Sequence, residues 1–176
     1  LLYSRFFTKA LKELGYLDFD EPFLKLRHQG VILGPDMRKM SKSKGNVVDP
    51  DKEVKKYGAD TVRLYLCFMA PYDQGGPWNP QAIAGAYRFL QKVWNLQEKV
   101  GEISLDKDRQ LEKLVHQTVK KVSEDIENLK FNTAISALMV LVNQMQEREK
   151  IPIRAYKIFL KLLSPFTPHL AEELWQ

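Results

Sequence analysis

Lys39-Met40-Ser41-Lys42-Ser43-Lys44-Gly45-Asn46, running on through Val47-Val48-Asp49-Pro50, is the stretch on which the reading of this chain turns. The octet holds three lysines, two serines and a glycine, and it leads into a helix start, with Asp49 as N-cap and Pro50 at the first helical position. Lysine ammonium groups are mobile point charges suited to phosphate oxygens. Hydroxyls and unpaired backbone amides add donors, and glycine lets the backbone approach a ligand closely. A phosphate-handling loop is one reading. A solvated surface loop, or a short basic patch of the kind found in targeting signals, is the other, and spacing alone does not separate them.

Outward from the loop, the pattern is mostly helical. On the C-terminal side a short helix runs to Gly58, and residues 59–70 form an apolar helix stopped by Pro71. Residues 72–78 are rich in glycine and proline and predict a linker. Beyond it, Asn79-Pro80 caps a long helix reaching about residue 100. A helix over 107–128 carries Leu111, Leu114, Val115, Thr118, Val119, Val122 and Ile126 at one-face spacing. Another over 132–148 places Ala134, Ile135, Leu138, Met139, Val142 and Met145 inward. Pro152 opens a further helix that ends near Ser164-Pro165, and Pro168 opens the last. Four or five helices with short connections predict an antiparallel bundle. On the N-terminal side, Gly34-Pro35-Asp36 is turn chemistry, residues 22–33 predict one or two strands, and residues 1–14 predict a helix closed by Gly15.

Composition sets the frame for these elements. The chain is 44% hydrophobic and 28% charged, enough for a core and unlike a disordered or fibrous protein. Its longest apolar runs are too short to span a membrane, and no partner membrane is expected. Net charge is +5, from 27 Lys and Arg against 22 Asp and Glu, which suits a polyanionic partner without requiring one. Cys67 is the only cysteine. It reads as a core thiol, and this usage fits a reducing, cytoplasmic compartment. His28, His116 and His169 stand apart from one another, with no Cys/His spacing for zinc, so no metal ligands are expected here. The chain begins at Leu1-Leu2-Tyr3 inside an amphipathic pattern and stops at Leu174-Trp175-Gln176 within a helix, so an internal segment of a longer protein is expected.

The octet resembles the second signature of class I aminoacyl-tRNA synthetases, matching its Lys-Met-Ser-Lys-Ser core at every position. The flank Val47-Val48-Asp49-Pro50 and then Tyr57-Gly58-Ala59-Asp60-Thr61-Val62-Arg63-Leu64 is similar too. Within class I the resemblance is to the bacterial-type leucyl enzymes. It is carried by Gln29-Gly30-Val31-Ile32-Leu33-Gly34, by Gly85-Ala86-Tyr87-Arg88-Phe89-Leu90 with Val93-Trp94, by Lys130-Phe131-Asn132-Thr133-Ala134-Ile135-Ser136-Ala137-Leu138, and by Ser164-Pro165-Phe166-Thr167-Pro168-His169. A leucine-specific insertion that some members carry before the signature loop is absent.

The resemblance implies a mainly α chain. Residues 1–71 would be the C-terminal part of a Rossmann-type catalytic domain, 72–79 a linker, and 80–176 a truncated antiparallel tRNA-binding bundle of the anticodon-binding type. It implies leucine activation with ATP and Mg²⁺ and transfer of leucine to tRNA(Leu). Lys42 would stabilise the leaving pyrophosphate with Lys39 assisting, Ser41 and Ser43 would donate hydroxyls, and Lys39, Met40, Ser41, Lys42 and Ser43 together would bind ATP. Gly45 and the Gly34-Pro35 turn would give the loop its freedom to open. Arg88, Lys92, Lys120 and Lys121 would meet tRNA phosphates, although lysines on amphipathic helices are usually just a solvated face. The leucine pocket, a paired-histidine signature and the editing domain would lie elsewhere in the parent, and the piece alone would be inactive. Valyl, isoleucyl or methionyl enzymes are the alternatives within the class, and a non-catalytic RNA-binding module is the alternative outside it. Tyr3, Phe6, Phe7, Leu64 and Phe68 would pack on the missing sheet, and their exposure would favour self-association.

Overall fold

The computed structural model describes all residues 1–176 and is mainly helical, with eight α-helices and four very short strands. Helix α1 (Leu2–Glu13) ends where Gly15 takes φ 77°, its N–H donating to the Lys12 carbonyl and that of Tyr16 to the Leu11 carbonyl. That is the left-handed glycine ending expected of it. Between 22 and 33 only Val31–Leu33 forms a strand, β1, where one or two had been expected. Helix α2 (Pro50–Tyr57) starts as its sequence predicts, with the Asp49 carboxylate accepting the Asp51 N–H at 3.1 Å. Helix α3 (Ala59–Phe68) follows directly after Gly58.

The glycine-rich stretch 72–79 carries a strand, β2 (Gly75–Pro77), paired in parallel with β1 so that Val31 faces Gly75 and Leu33 faces Pro77. Its composition gives no strand signal, and the pairing is imposed by tertiary contact. Glycine is required there, because a Cβ on Gly75 would lie 2.3 Å from the Val31 carbonyl oxygen and one on Gly30 would lie 1.9 Å from the Gly75 nitrogen.

The remaining helices are α4 (Pro80–Leu96), α5 (Arg109–Glu127), α6 (Phe131–Gln146), α7 (Ile153–Leu163) and α8 (Pro168–Trp175). Asn79 caps α4 by accepting from the Gln81 and Ala82 amides. A second parallel pairing joins β3 (Val100–Gly101) to β4 (Ile151–Pro152) and closes the far end of the bundle.

One hydrophobic cluster of 27 buried residues runs from Val62, Leu64 and Tyr65 on α3 through α4, α5, α6 and α7 to Phe166. Helix α3 therefore belongs to the bundle's core. Leu64, expected to lie bare, is fully buried, because α3 carries apolar residues on more than one face and packs against α4 and α6. Tyr3, Phe6 and Phe7 of α1 are exposed as expected, and Phe68 is at the edge of exposure. Tyr65 fixes the junction. Its ring meets Trp78 edge to face at 4.9 Å, and its hydroxyl accepts the Asn79 N–H at 2.8 Å. No helix is long and apolar enough to cross a membrane.

Candidate functional site

The lysine-rich octet sits on a tight hairpin. Leu33 and Lys39 face each other in an isolated antiparallel bridge, the Gly34 N–H donates to the Arg38 carbonyl at 2.8 Å, and Met37 turns the corner at φ 62°. Past Ser41 the chain makes one 3₁₀ turn over Lys42–Lys44, which ends at Gly45 in the left-handed region at φ 67°. Met40 and Val48, on either side of the turn, are half-buried against the core. Those two feet anchor the loop and leave Lys42, Ser43 and Lys44 in solvent. The Ser41 and Ser43 hydroxyls lie 2.8 Å apart, so one hydroxyl hydrogen remains free to point outward.

Asn46 closes the base of the loop. Its Nδ2 donates to both Asp36 carboxylate oxygens, at 3.0 and 3.1 Å, and toward the Lys39 carbonyl at 3.4 Å, while its Oδ1 accepts the Ser41 N–H at 2.8 Å. The Asn46 side chain, with the Arg38 N–H, holds the Asp36 carboxyl below the usual carboxylate range. The arrangement is a cationic, donor-rich turn with its backbone tied down and its lysines free, which is what a phosphate group needs. Sequence reading took the lysines and serines from residue type. It gave no distinct role to Asn46 and read Asp36 only as a turn residue; their meeting depends on the turn between them.

The four basic residues expected to meet tRNA lie on two helices. Arg88 and Lys92 lie one turn apart on α4, with Lys92 Nζ 3.5 Å from Asn143 Oδ1 on α6. Lys120 and Lys121 lie on α5, the first paired with Glu124 at 3.8 Å and the second with Asp125, so both already have carboxylate partners. Trp94 and Tyr87 are partly exposed beside a cavity of about 440 Å³ that also holds Tyr57, Asp60 and His169. His169 takes its place in the first turn of α8, its Nδ1 2.9 Å from Asp60 Oδ1. Cys67 is half-buried and burial pushes its thiol up, away from nucleophilic chemistry.

Comparison with known proteins matches two parts of the chain to different family models. Residues 5–78 match the family model described as tRNA synthetases class I (I, L, M and V), and residues 108–176 match the anticodon-binding domain of tRNA ligase. A leucine–tRNA ligase of Bdellovibrio bacteriovorus is 49% identical over the whole chain, and one of Deinococcus radiodurans is 47% identical over 99% of it. The chain spans only 23% and 22% of the length of those relatives. Among solved structures, the Agrobacterium radiobacter LeuRS, in its ternary complex with tRNA and LeuAMS, superposes with a TM-score of 0.88 at 36% identity, over 99% of this chain and 25% of that one. A Mycobacterium tuberculosis methionyl-tRNA synthetase in complex with methionyl-adenylate superposes over 82% of this chain and 36% of that one, with a TM-score of 0.60, and at 21% identity it shows the shared fold alone. With two tRNA synthetase family models matched on separate parts of the chain and leucine–tRNA ligases aligned with it end to end, the chain belongs to the leucine–tRNA ligase family of class I tRNA synthetases, corresponding to a little under a quarter of its relatives' length.

Proposed function

We propose that this chain is the part of a leucine–tRNA ligase that supplies the pyrophosphate-stabilising loop and the tRNA-binding bundle, with 1–71, 72–79 and 80–176 as its catalytic piece, junction and bundle. The observation that carries the reading is the Lys39–Asn46 loop, anchored at Met40 and Val48 and presenting Lys42, Ser43 and Lys44 to solvent. During activation the leucine carboxylate attacks the α-phosphorus of ATP, and pyrophosphate leaves. Negative charge grows on the leaving phosphates, so ammonium groups set there act more strongly on the transition state than on bound ATP. In this reading Lys42 meets that charge and Lys39 assists, with Ser41 and Ser43 as neutral donors. Met40 turns its side chain toward the core, so its contribution to ATP is through the backbone. This chain has no group of three carboxylate, histidine or cysteine side chains arranged to hold a metal ion. Magnesium that accompanies ATP is assigned in this reading to the parent enzyme, with no ligand proposed in this segment.

The partners that follow are ATP, leucine and tRNA(Leu), in a cytoplasmic setting. Similarity to a LeuRS solved with tRNA supports the tRNA half. Arg88 and Lys92 are the stronger candidates for phosphate contact, because Lys120 and Lys121 would first have to leave Glu124 and Asp125. Binding of this chain to a leucine-accepting and an unrelated tRNA across a salt series tests the bundle. The reading expects tighter binding to the leucine tRNA that persists near physiological salt. Equal binding to both, falling by roughly 0.7–0.9 log units per phosphate contact for each tenfold rise in salt, contradicts it. Self-association of the isolated chain through Tyr3, Phe6 and Phe7 is a separate proposal, and a strictly monomeric species in light scattering at high concentration removes it.

A further inference from the structure

We propose that Asn46 is a positioning residue for the phosphate loop, acting with Asp36 as a latch that sets where Lys39 and Lys42 stand. The proposal rests on the reading of Lys39–Asn46 as the pyrophosphate site. Three separate stretches meet at the Asn46 amide: the hairpin corner at Asp36, the incoming limb at Lys39 and Ser41, and the outgoing limb at Asn46 itself. Each partner dictates which way round the amide sits. The Asp36 carboxylate can only accept and the Ser41 N–H can only donate, so Nδ2 must face Asp36 and Oδ1 must face Ser41. No other residue of the loop ties both limbs together through its side chain.

The hairpin is shaped around this pair. Gly34 is buried, and a Cβ there would lie 2.7 Å from Asp36 Oδ1 and 3.0 Å from both Asn46 Nδ2 and the Asn46 carbonyl oxygen. Any larger residue at 34 would push the carboxylate and the amide out of register. The latch bonds themselves are at the surface, where a hydrogen bond adds little to global stability. Their effect is local: they bring the ends of an eight-residue loop together and leave the 3₁₀ turn carrying Lys42 in one place. Misplacement of a charge-stabilising group by an ångström costs on the order of 10²-fold in rate.

The test uses leucine-dependent ATP–pyrophosphate exchange in the full-length enzyme that contains this segment. Asn46→Asp sets a second carboxylate against Asp36 and opens the latch. It is expected to lower kcat by roughly 10- to 100-fold while the KM for leucine and the melting temperature stay at wild-type values. In the double variant Asp36→Asn/Asn46→Asp, one amide again faces one carboxylate and the Ser41 N–H again finds an acceptor, so most of the lost kcat returns. A residue needed only for folding would lower the melting temperature of the single variant along with its kcat, whereas a positioning residue lowers kcat alone. Wild-type exchange by Asn46→Asp overturns the proposal, and so does a double variant no better than the single one. Lys42→Ala measured alongside separates the two levels. If it too exchanges at the wild-type rate, the phosphate reading of the loop is what fails; if it is impaired while Asn46→Asp is not, only the latch fails.

Discussion

Asp108 shows how much one carboxylate can do in this fold. Its Oδ1 accepts the Leu111 N–H at 3.0 Å and so caps α5, and its Oδ2 accepts from Arg148 Nε at 2.6 Å, beyond the end of α6. The Arg148 guanidinium, with the backbone amides of Leu111 and Gln110, holds the Asp108 carboxyl below its usual range. A carboxylate depressed on folding contributes stability that is complete above its unfolded pKa of about 3.9 and is lost as pH falls through the lower, folded value. The unfolding midpoint in urea should therefore differ between wild type and Asp108→Asn by a constant amount from pH 7 to pH 5, and that difference should shrink at more acid pH. A difference unchanged down into the acid limb would contradict the assignment. The start of α5 near 107 was legible in the sequence, but the partner was not: positions 108 and 148 belong to different elements, and no local pattern links them. The same holds for Asp36 and Asn46. The lysines and serines of the loop announce themselves by type, whereas the latch depends on a corner at Met37 with φ 62° that no local rule predicts for methionine.

Helices α3 and α8 illustrate the same limit one level up. Thr167 stands at the N-cap of α8 and makes no capping bond through its side chain. The cap comes instead from Asp60 in the first turn of α3, whose Oδ2 accepts the Leu170 N–H at 2.7 Å while Oδ1 lies against His169. Arg63, one turn further on, donates to the Pro165 carbonyl at 3.1 Å. Asp60→Ala is expected to destabilise the protein by about 1 kcal/mol, read in a urea titration, and to speed hydrogen exchange at Leu170 and Ala171. Exchange at those two amides equal to wild type would mean that α8 is held by its packing and not by Asp60. Helix boundaries were otherwise well marked, because Asp49 and Asn79 cap amides two or three residues on and Pro50, Pro80, Pro168 and Gly15 act through their own backbones, all of it local in sequence. The strands were not. β2 consists of Gly75, Gly76 and Pro77 and exists only because β1 lies beside it.

Across the whole molecule, the core and the bare surfaces tell one story. The buried cluster gathers α3 with the bundle, so the chain following the signature loop is seated directly on the helices assigned to tRNA. Helix α1 stays outside that cluster. It is tied to the following turn by surface ion pairs, Arg5 with Glu21 at 2.6 Å and Lys9 with Glu21 at 3.3 Å, while Tyr3, Phe6 and Phe7 remain exposed. Pairs of that kind hold a local turn and contribute little to stability. The exposed apolar face of α1 and the short two-stranded pairing of β1 with β2 fit the proposal that this part of the chain belongs to a larger catalytic domain. The sequence reading placed Leu64 on the bare side. Only the packing of α3 against α4 and α6 shows that residue to be core. The central claim is that Lys42 acts on the leaving pyrophosphate, and leucine-dependent ATP–pyrophosphate exchange by the full-length enzyme carrying Lys42→Ala tests it most directly. The account predicts a fall in kcat of about 10²-fold or more with the KM for leucine little changed, and exchange at the wild-type rate would contradict it.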